Sequence, residues 1–221
     1  MSLRMPPFRA LFLGALVCLG LAATARVARA DRYFPFSYPY NTDEQGEREL
    51  ELYSDVSASG LENRLEFELY PTDRLALAAS GYLHNGTQFD GWALEGRYRL
   101  AEPDVLPLDT ALYGEIEDAQ GEGPTLEYKL LLEKTFGEWE FDANLIGEHH
   151  FRGGDEFGAT LAGGYFFDEN TIAGIEARYD AQKLYAGPTW SRMWGPYQLT
   201  AGVYYGGADA LLGRLVLAQE L

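Results

Sequence analysis

The chain of 221 residues is 47% apolar and 14% aromatic, with 25 Gly, 10 Pro and one Cys, a balance that suits one folded or membrane-embedded domain and excludes a disordered tail. Its 34 Asp and Glu against 17 Lys and Arg give a formal net charge of −17. That charge repels phosphates and no basic patch offsets it, so nucleic acid is excluded as a partner.

Residues 1–30 read as a secretory signal. Arg4 and Arg9 supply a positive start, residues 10–23 are almost wholly apolar, and Ala28-Arg29-Ala30 offers small residues for cleavage before Asp31. The competing reading, a membrane anchor, needs an apolar core of about 20 residues, longer than this one. Cleavage removes four of the 17 basic groups and none of the 34 acidic ones, so the mature chain carries a formal charge of −21. Cys18 leaves with the signal, and Val17 before it is a poor residue for lipid attachment. No thiol chemistry or disulfide then remains.

Residues 31–48 form an extended aromatic segment, with Tyr33, Phe34, Phe36, Tyr38 and Tyr40 interleaved with Pro35 and Pro39. The prolines oppose ladder pairing. The segment reads as a surface-lying tail, with a plug of the lumen as the alternative.

From Glu49 to Leu221 the period is 2, broken every dozen or so residues by Gly, Pro, Asn or Asp. Leu50, Leu52, Ser54 and Val56 alternate with Glu49, Glu51, Tyr53 and Asp55. Leu65, Phe67 and Leu69 alternate with Arg64, Glu66, Glu68 and Tyr70. The third segment sets Leu75, Leu77 and Leu83 against Ala76, Ser80 and Tyr82, and the fourth Trp92, Leu94 and Tyr98 against Glu95, Arg97 and Arg99. A fifth covers 110–117. The sixth sets Leu126, Tyr128, Leu130 and Leu132 against Glu127, Lys129, Leu131 and Glu133, where only Leu131 breaks the polar face. The seventh sets Trp139, Phe141 and Leu145 against Glu140, Asp142, Asn144 and Glu148. Candidates at 157–167, 172–179, 184–190, 198–205 and 211–221 bring the total to about twelve.

This pattern predicts an all-β, antiparallel, up-and-down transmembrane barrel. The apolar face turns to lipid and the charged face to the lumen. Aromatics near strand ends, namely Tyr70, Trp92, Trp139, Tyr165, Phe167, Trp190 and Trp194, are expected at the interfacial girdles. A soluble sandwich or barrel with the alternation turned inward is the alternative, because period 2 alone does not tell inside from outside. Closure is required in lipid, since an open edge strands unpaired backbone groups.

The alternation, the export signal and the Gly137 turn before Trp139 resemble Gram-negative outer-membrane β-barrels. Within them, residues 127–134 (Glu-Tyr-Lys-Leu-Leu-Leu-Glu-Lys), Asn144-Leu145-Ile146-Gly147-Glu148 and Ala186-Gly187-Pro188-Thr189 resemble a porin-like family without established activity. The resemblance spans nearly the whole mature chain and implies place and fold: the outer membrane, its lipid and lipopolysaccharide, and the barrel assembly machinery. Such barrels commonly end in an aromatic residue, and Leu221 departs from that.

Chemistry is sparse. His84, His149 and His150 fall at expected outer strand ends. A hydrolase triad would need a serine beside a histidine, and Ser80 lies about 13 Å from His84 along the strand. His149 and His150 with Asp155 and Glu156 read as loop residues rather than metal ligands, because adjacent strand residues face opposite ways. No glycine run sits between a strand and a helix, so no cofactor is expected. The informative set is the inward one: Glu66, Glu68, Glu95, Glu115, Glu127, Glu140, Asp142 and Glu176, with Arg97, Arg99, Lys129 and Arg178 as candidate lumen-lining residues, joined by Glu51, Glu133, Glu148, Arg64 and Arg214. A wet lumen with excess acid would concentrate cations. A filled one would cross-pair these charges. The expectation is a narrow or partly occluded, cation-preferring channel for small solutes; a structural or lipid-modifying envelope barrel is the alternative.

Overall fold

The computed structural model describes residues 32–119, 123–180, 183–206 and 210–221. The expected export signal over residues 1–30, with Cys18 and Asp31, lies outside the described residues. Twelve strands follow one another: β1 (Arg48–Ser57), β2 (Gly60–Thr72), β3 (Leu75–His84), β4 (Gln88–Arg99), β5 (Asp109–Ala119), β6 (Thr125–Phe136), β7 (Trp139–His150), β8 (Asp155–Asp168), β9 (Thr171–Asp180), β10 (Lys183–Trp194), β11 (Tyr197–Gly206) and β12 (Ala210–Glu220). Each pairs antiparallel with its sequence neighbours and β1 closes on β12. The closing ladder runs from Glu49 opposite Glu220 to Val56 opposite Gly213, so neither edge is left open.

Local chemistry explains the hairpins. At the β3–β4 turn Asn85 and Gly86 adopt φ values of 50° and 75°, the left-handed pair that a two-residue hairpin favours and that Asn-Gly tolerates best. Strands of 10 to 14 residues suffice to cross a hydrocarbon layer at a tilt, which takes about 9–11 residues.

The alternation becomes two surfaces. Leu65, Leu77, Leu94, Leu112, Tyr128, Leu145, Leu161, Ile175 and Val203 are exposed on the outside, whereas Glu51, Glu66, Ser80, Arg97, Glu115, Lys129, Asp142 and Glu176 are buried within. Such an exposed apolar belt around a charged interior is the reverse of a water-soluble barrel. Trp92, Trp139, Phe167, Trp190 and Trp194 are exposed as expected of girdle residues. Tyr70 is the exception: it turns inward, 3% exposed, and its hydroxyl donates to Glu68 at 3.0 Å. Its even number already placed it on the phase of Glu66 and Glu68, and that phase overrides its position near a strand end.

Candidate functional site

The bore is occupied. Residues 32–42 follow the inner wall from the rim that holds the β2–β3 turn, past β6, β7 and β9, to β11 and β1, with Phe34, Phe36, Ser37 and Tyr40 buried. The tail expected from the sequence is thus an interior segment. The prolines explain how it is tolerated there: Pro35 and Pro39 have no N–H to satisfy, and an extended chain kept out of the ladder must find side-chain partners for the N–H groups it retains. Wall residues provide them. Phe36 N donates to both oxygens of Glu176 at 3.1 Å and Ser37 N donates at 2.6 Å. Asn144 accepts from Tyr38 N at 2.7 Å and returns its own N–H to Tyr38 O at 3.1 Å, imitating a neighbouring strand. Tyr40 N donates to Glu133 at 3.2 Å. The carbonyl of Arg32 accepts from Gln198 at 2.8 Å and Thr200 at 2.7 Å.

Two aromatic rings of the segment sit among cations. Tyr38 has the Arg32 guanidinium 3.8 Å and the Lys129 ammonium 3.9 Å from its centroid. Phe36 has Arg214 at 4.0 Å and Arg178 at 4.8 Å. Desolvated contacts of this kind contribute about 2 kcal/mol or more each. Tyr40 packs with Ala111, Tyr113 and Leu131. The apolar break at Leu131 in the polar face of β6 is therefore the seat of Tyr40. Phe34 packs with Ala162 and Ile172.

Charges on the β2–β5 side cross-pair. Arg64 bridges Glu66 at 2.6 Å and Glu95 and Glu115 at 2.9 Å each, while its Nε donates to Ser80 at 2.8 Å. Ser80 in turn donates to Glu66 at 2.9 Å. Tyr113 donates to Glu115 at 2.6 Å and also to Glu95. Arg97 pairs with Glu68 at 2.9 Å and donates to Pro39 O at 3.3 Å. Elsewhere Lys129 pairs with Glu127 at 2.7 Å, Arg178 with Asp180 at 2.5 Å, Arg32 with Glu51 at 3.2 Å, and Arg214 forks onto Asp55 at 2.6 and 2.5 Å. Arg99 lies at the rim, bonded to Asp73 O, Asn41 and Glu102, apart from the acids of the bore.

A cavity of about 20 Å³ lies among Arg32, Tyr38, Glu51, Glu66, Glu95 and Arg97, room for about one water. A wider groove of about 530 Å³ opens at the rim among Tyr33, Tyr40, Glu133, Thr135, Glu140 and Asp168. The histidines lie elsewhere. His149 pairs with Asp155 at 2.6 Å, and His150 with Glu148 at 3.5 Å, close to Glu156.

No family model matches the chain, and no curated protein matches it in sequence. Among solved structures it is similar to the KdgM porin in complex with disordered oligogalacturonate, at 12% identity over 77% of this chain and 98% of that one, with a TM-score of 0.62. It is similar also to the outer membrane protein Omp33 of Acinetobacter baumannii, at 9% identity over 80% and 99% of the two chains, TM-score 0.57. An outer membrane channel from Pseudomonas putida F1 matches at 14% identity over 89% and 100%, TM-score 0.55. The chain has the fold of the outer-membrane porin-like barrels.

Sequence reading passed over Arg32, Asn144, Gln198 and Tyr204 as functional residues. Tyr204 donates to Glu176, and its ring lies across Gly202, where an added Cβ would stand 2.3 Å from the hydroxyl. The available signal was parity: Asn144, Gln198 and Tyr204 share the inward phase of their strands, and an uncharged polar residue there is a wall donor or acceptor.

Proposed function

We propose that this protein is an outer-membrane channel of porin type, reached after signal cleavage, whose passage is closed in the state described by residues 32–42. The observation that carries the reading is the way these residues cross the bore with their backbone groups bonded to Glu176, Asn144, Glu133, Gln198 and Thr200. A wall that only filled itself would have no need of acceptors placed for a passing chain. These contacts are separate, and water replaces them without an unpaired group when the segment leaves. The exposed apolar belt suits lipid on the outside, with lipopolysaccharide in the outer leaflet and the barrel assembly machinery as the route of insertion.

The solute class follows from charge. Oligogalacturonate, the acidic oligosaccharide in the KdgM structure, would meet Glu66, Glu68, Glu95 and Glu115 here, with Arg64 and Arg97 already engaged by those acids. Small cations or neutral solutes fit better, and a cation preference is the expected property of the opened bore. Ser80, bonded to Arg64 and Glu66, has a structural partner set and receives no catalytic role in this reading.

Planar-bilayer recording on refolded chain tests the proposal. Residues 31–221 are expected to conduct rarely. A chain starting at residue 47 is expected to conduct steadily, with a reversal potential shifted toward the cation value and reduced by Glu66→Gln with Glu115→Gln. A folded, closed barrel that stays silent without the segment would overturn the channel and leave a structural envelope barrel.

A further inference from the structure

Glutamates face one another in a row across four strands of the wall. Glu115 on β5 stands opposite Glu127 on β6, Glu127 opposite Glu148 on β7, and Glu148 opposite Glu156 on β8. Like charges in directly facing positions repel, so a cation at each step lowers the cost. The first two glutamates have protein cations: Arg64 takes Glu115 at 2.9 Å and Lys129 takes Glu127 at 2.7 Å. Arg178, whose charge bears on Glu148, is itself held by Asp180 at 2.5 Å. At the far end of the row, where β7 turns into β8 opposite the rim groove, the neighbour of the glutamates is His150. Two residues after Glu148, it keeps the same face of β7 and holds Nε2 3.5 Å from Glu148 Oε2. A ring nitrogen of His150 and one carboxylate oxygen from each of Glu148 and Glu156 lie within 4.8 Å of one another.

We propose that Glu148, His150 and Glu156 bind one borderline divalent metal ion of the zinc class at the mouth of the bore. One imidazole nitrogen with two carboxylate oxygens is a donor set that zinc accepts, and the nitrogen separates this ion from calcium and magnesium, which take oxygen throughout. Zinc holds nitrogen and oxygen at about 2.0–2.2 Å, which at the tetrahedral angle sets two donors about 3.4 Å apart; the Nε2 to Oε2 separation is 3.5 Å. Glu156 is exposed, so its carboxylate swings inward without disturbing packing. The ring is aimed by a residue outside the three: Thr125, opposite His150 on β6, places Oγ1 2.9 Å from Nδ1. When Nδ1–H donates to that hydroxyl, Nε2 turns its lone pair toward Glu148, the way in which a metal-ligating histidine is held. A lone pair facing a carboxylate is repulsive, and an ion between them reverses the sign. Water completes the shell. His149 points the other way and pairs with Asp155, so the partner of His150 is the glutamate two residues before it rather than the histidine beside it. The site stands whether or not the barrel conducts.

Metal titration of the tag-free mature chain, refolded in zwitterionic detergent free of lipopolysaccharide and stripped with a chelator, tests it. CoCl₂ followed by visible absorption is expected to saturate at one ion per barrel with the intense bands of a four-coordinate site, and ZnCl₂ is expected to displace it. In calorimetry with ZnCl₂, His150→Gln is expected to weaken binding more than about tenfold and Thr125→Val about tenfold, since a group that orients a ligating imidazole carries that much. His149→Gln leaves binding unchanged. Glu148→Gln is read in the same way if His150→Gln fails to refold. Absence of saturable binding by the wild type would overturn the site and leave a protonated imidazole between the two glutamates. Equal binding by wild type, His150→Gln and Glu148→Gln would overturn it as well, and so would displacement of Co²⁺ by an equal concentration of CaCl₂, which would show an ion held by carboxylates alone.

Discussion

The two sides of the bore solve the same problem differently. On β2–β5 the wall carries its own compensation: one guanidinium, Arg64, gathers Glu66, Glu95 and Glu115, and Arg97 takes Glu68. On β7–β9 Asn144 and Glu176 face inward without such a partner and are met by the backbone of residues 36–38. Acids that are paired within the wall stay put whether or not the segment is present. Acceptors that take main-chain N–H groups belong to a wall built to receive a chain, and the difference places the bonds to the N–H groups of residues 36–38 on the β7–β9 side.

Breaking the self-compensated side carries the largest expected effect. Arg64→Met leaves three carboxylates facing one another, and removing one member of a buried charge cluster costs about 3–5 kcal/mol; urea unfolding in detergent is the measurement, and a loss within error of zero would show that water already screens this side. The outer surface is next. Leu145, exposed at the middle of β7, faces the apolar belt, so Leu145→Arg is expected to cost about 2–4 kcal/mol in lipid vesicles, whereas Asp142→Asn on the inward face of the same strand should cost less.

A sharper test of the contrast uses Glu176→Gln. It weakens charge-assisted bonds to Phe36 N and Ser37 N, worth about 1.5–3 kcal/mol each. Hydrogen exchange at those two amides is expected to accelerate, with the β2–β5 amides unchanged. If Arg64→Met accelerates the same amides equally, the two sides are not independent. The smallest effect lies outside the bore. Hydrogen bonds from Arg74 at 2.9 and 2.6 Å, then the charge of Arg99, hold the Glu102 carboxyl below its usual range. A carboxyl depressed by folding contributes stability above its unfolded value of about 4.3, and this is lost as pH falls through the folded value. Both partners are exposed, so the effect on folding is slight. Arg74→Gln should move the Glu102 titration upward in carbon-detected NMR, and an unmoved titration would remove the ion pair from the account.

Much of this was legible in the sequence. Twelve strands, their hairpins and the assignment of Leu and Phe to one face and Glu and Arg to the other follow from a period of two, because each side chain's direction depends only on its immediate neighbours in the strand. Even the exceptions were written there: Leu131 interrupts a polar face at the residue where Tyr40 packs, and Tyr70 keeps the inward phase. Tertiary structure alone decided which cation meets which acid. Arg64 reaches Glu115 from three strands away, a contact that depends on barrel radius and stagger and leaves no trace in spacing. It also decided the fate of residues 32–42. Aromatic rings and prolines specify an extended chain that avoids the ladder, but only a closed wall brings Asn144, Glu176, Gln198 and Thr200 around one axis, and it is that convergence of distant strands that gives the segment a place to bind.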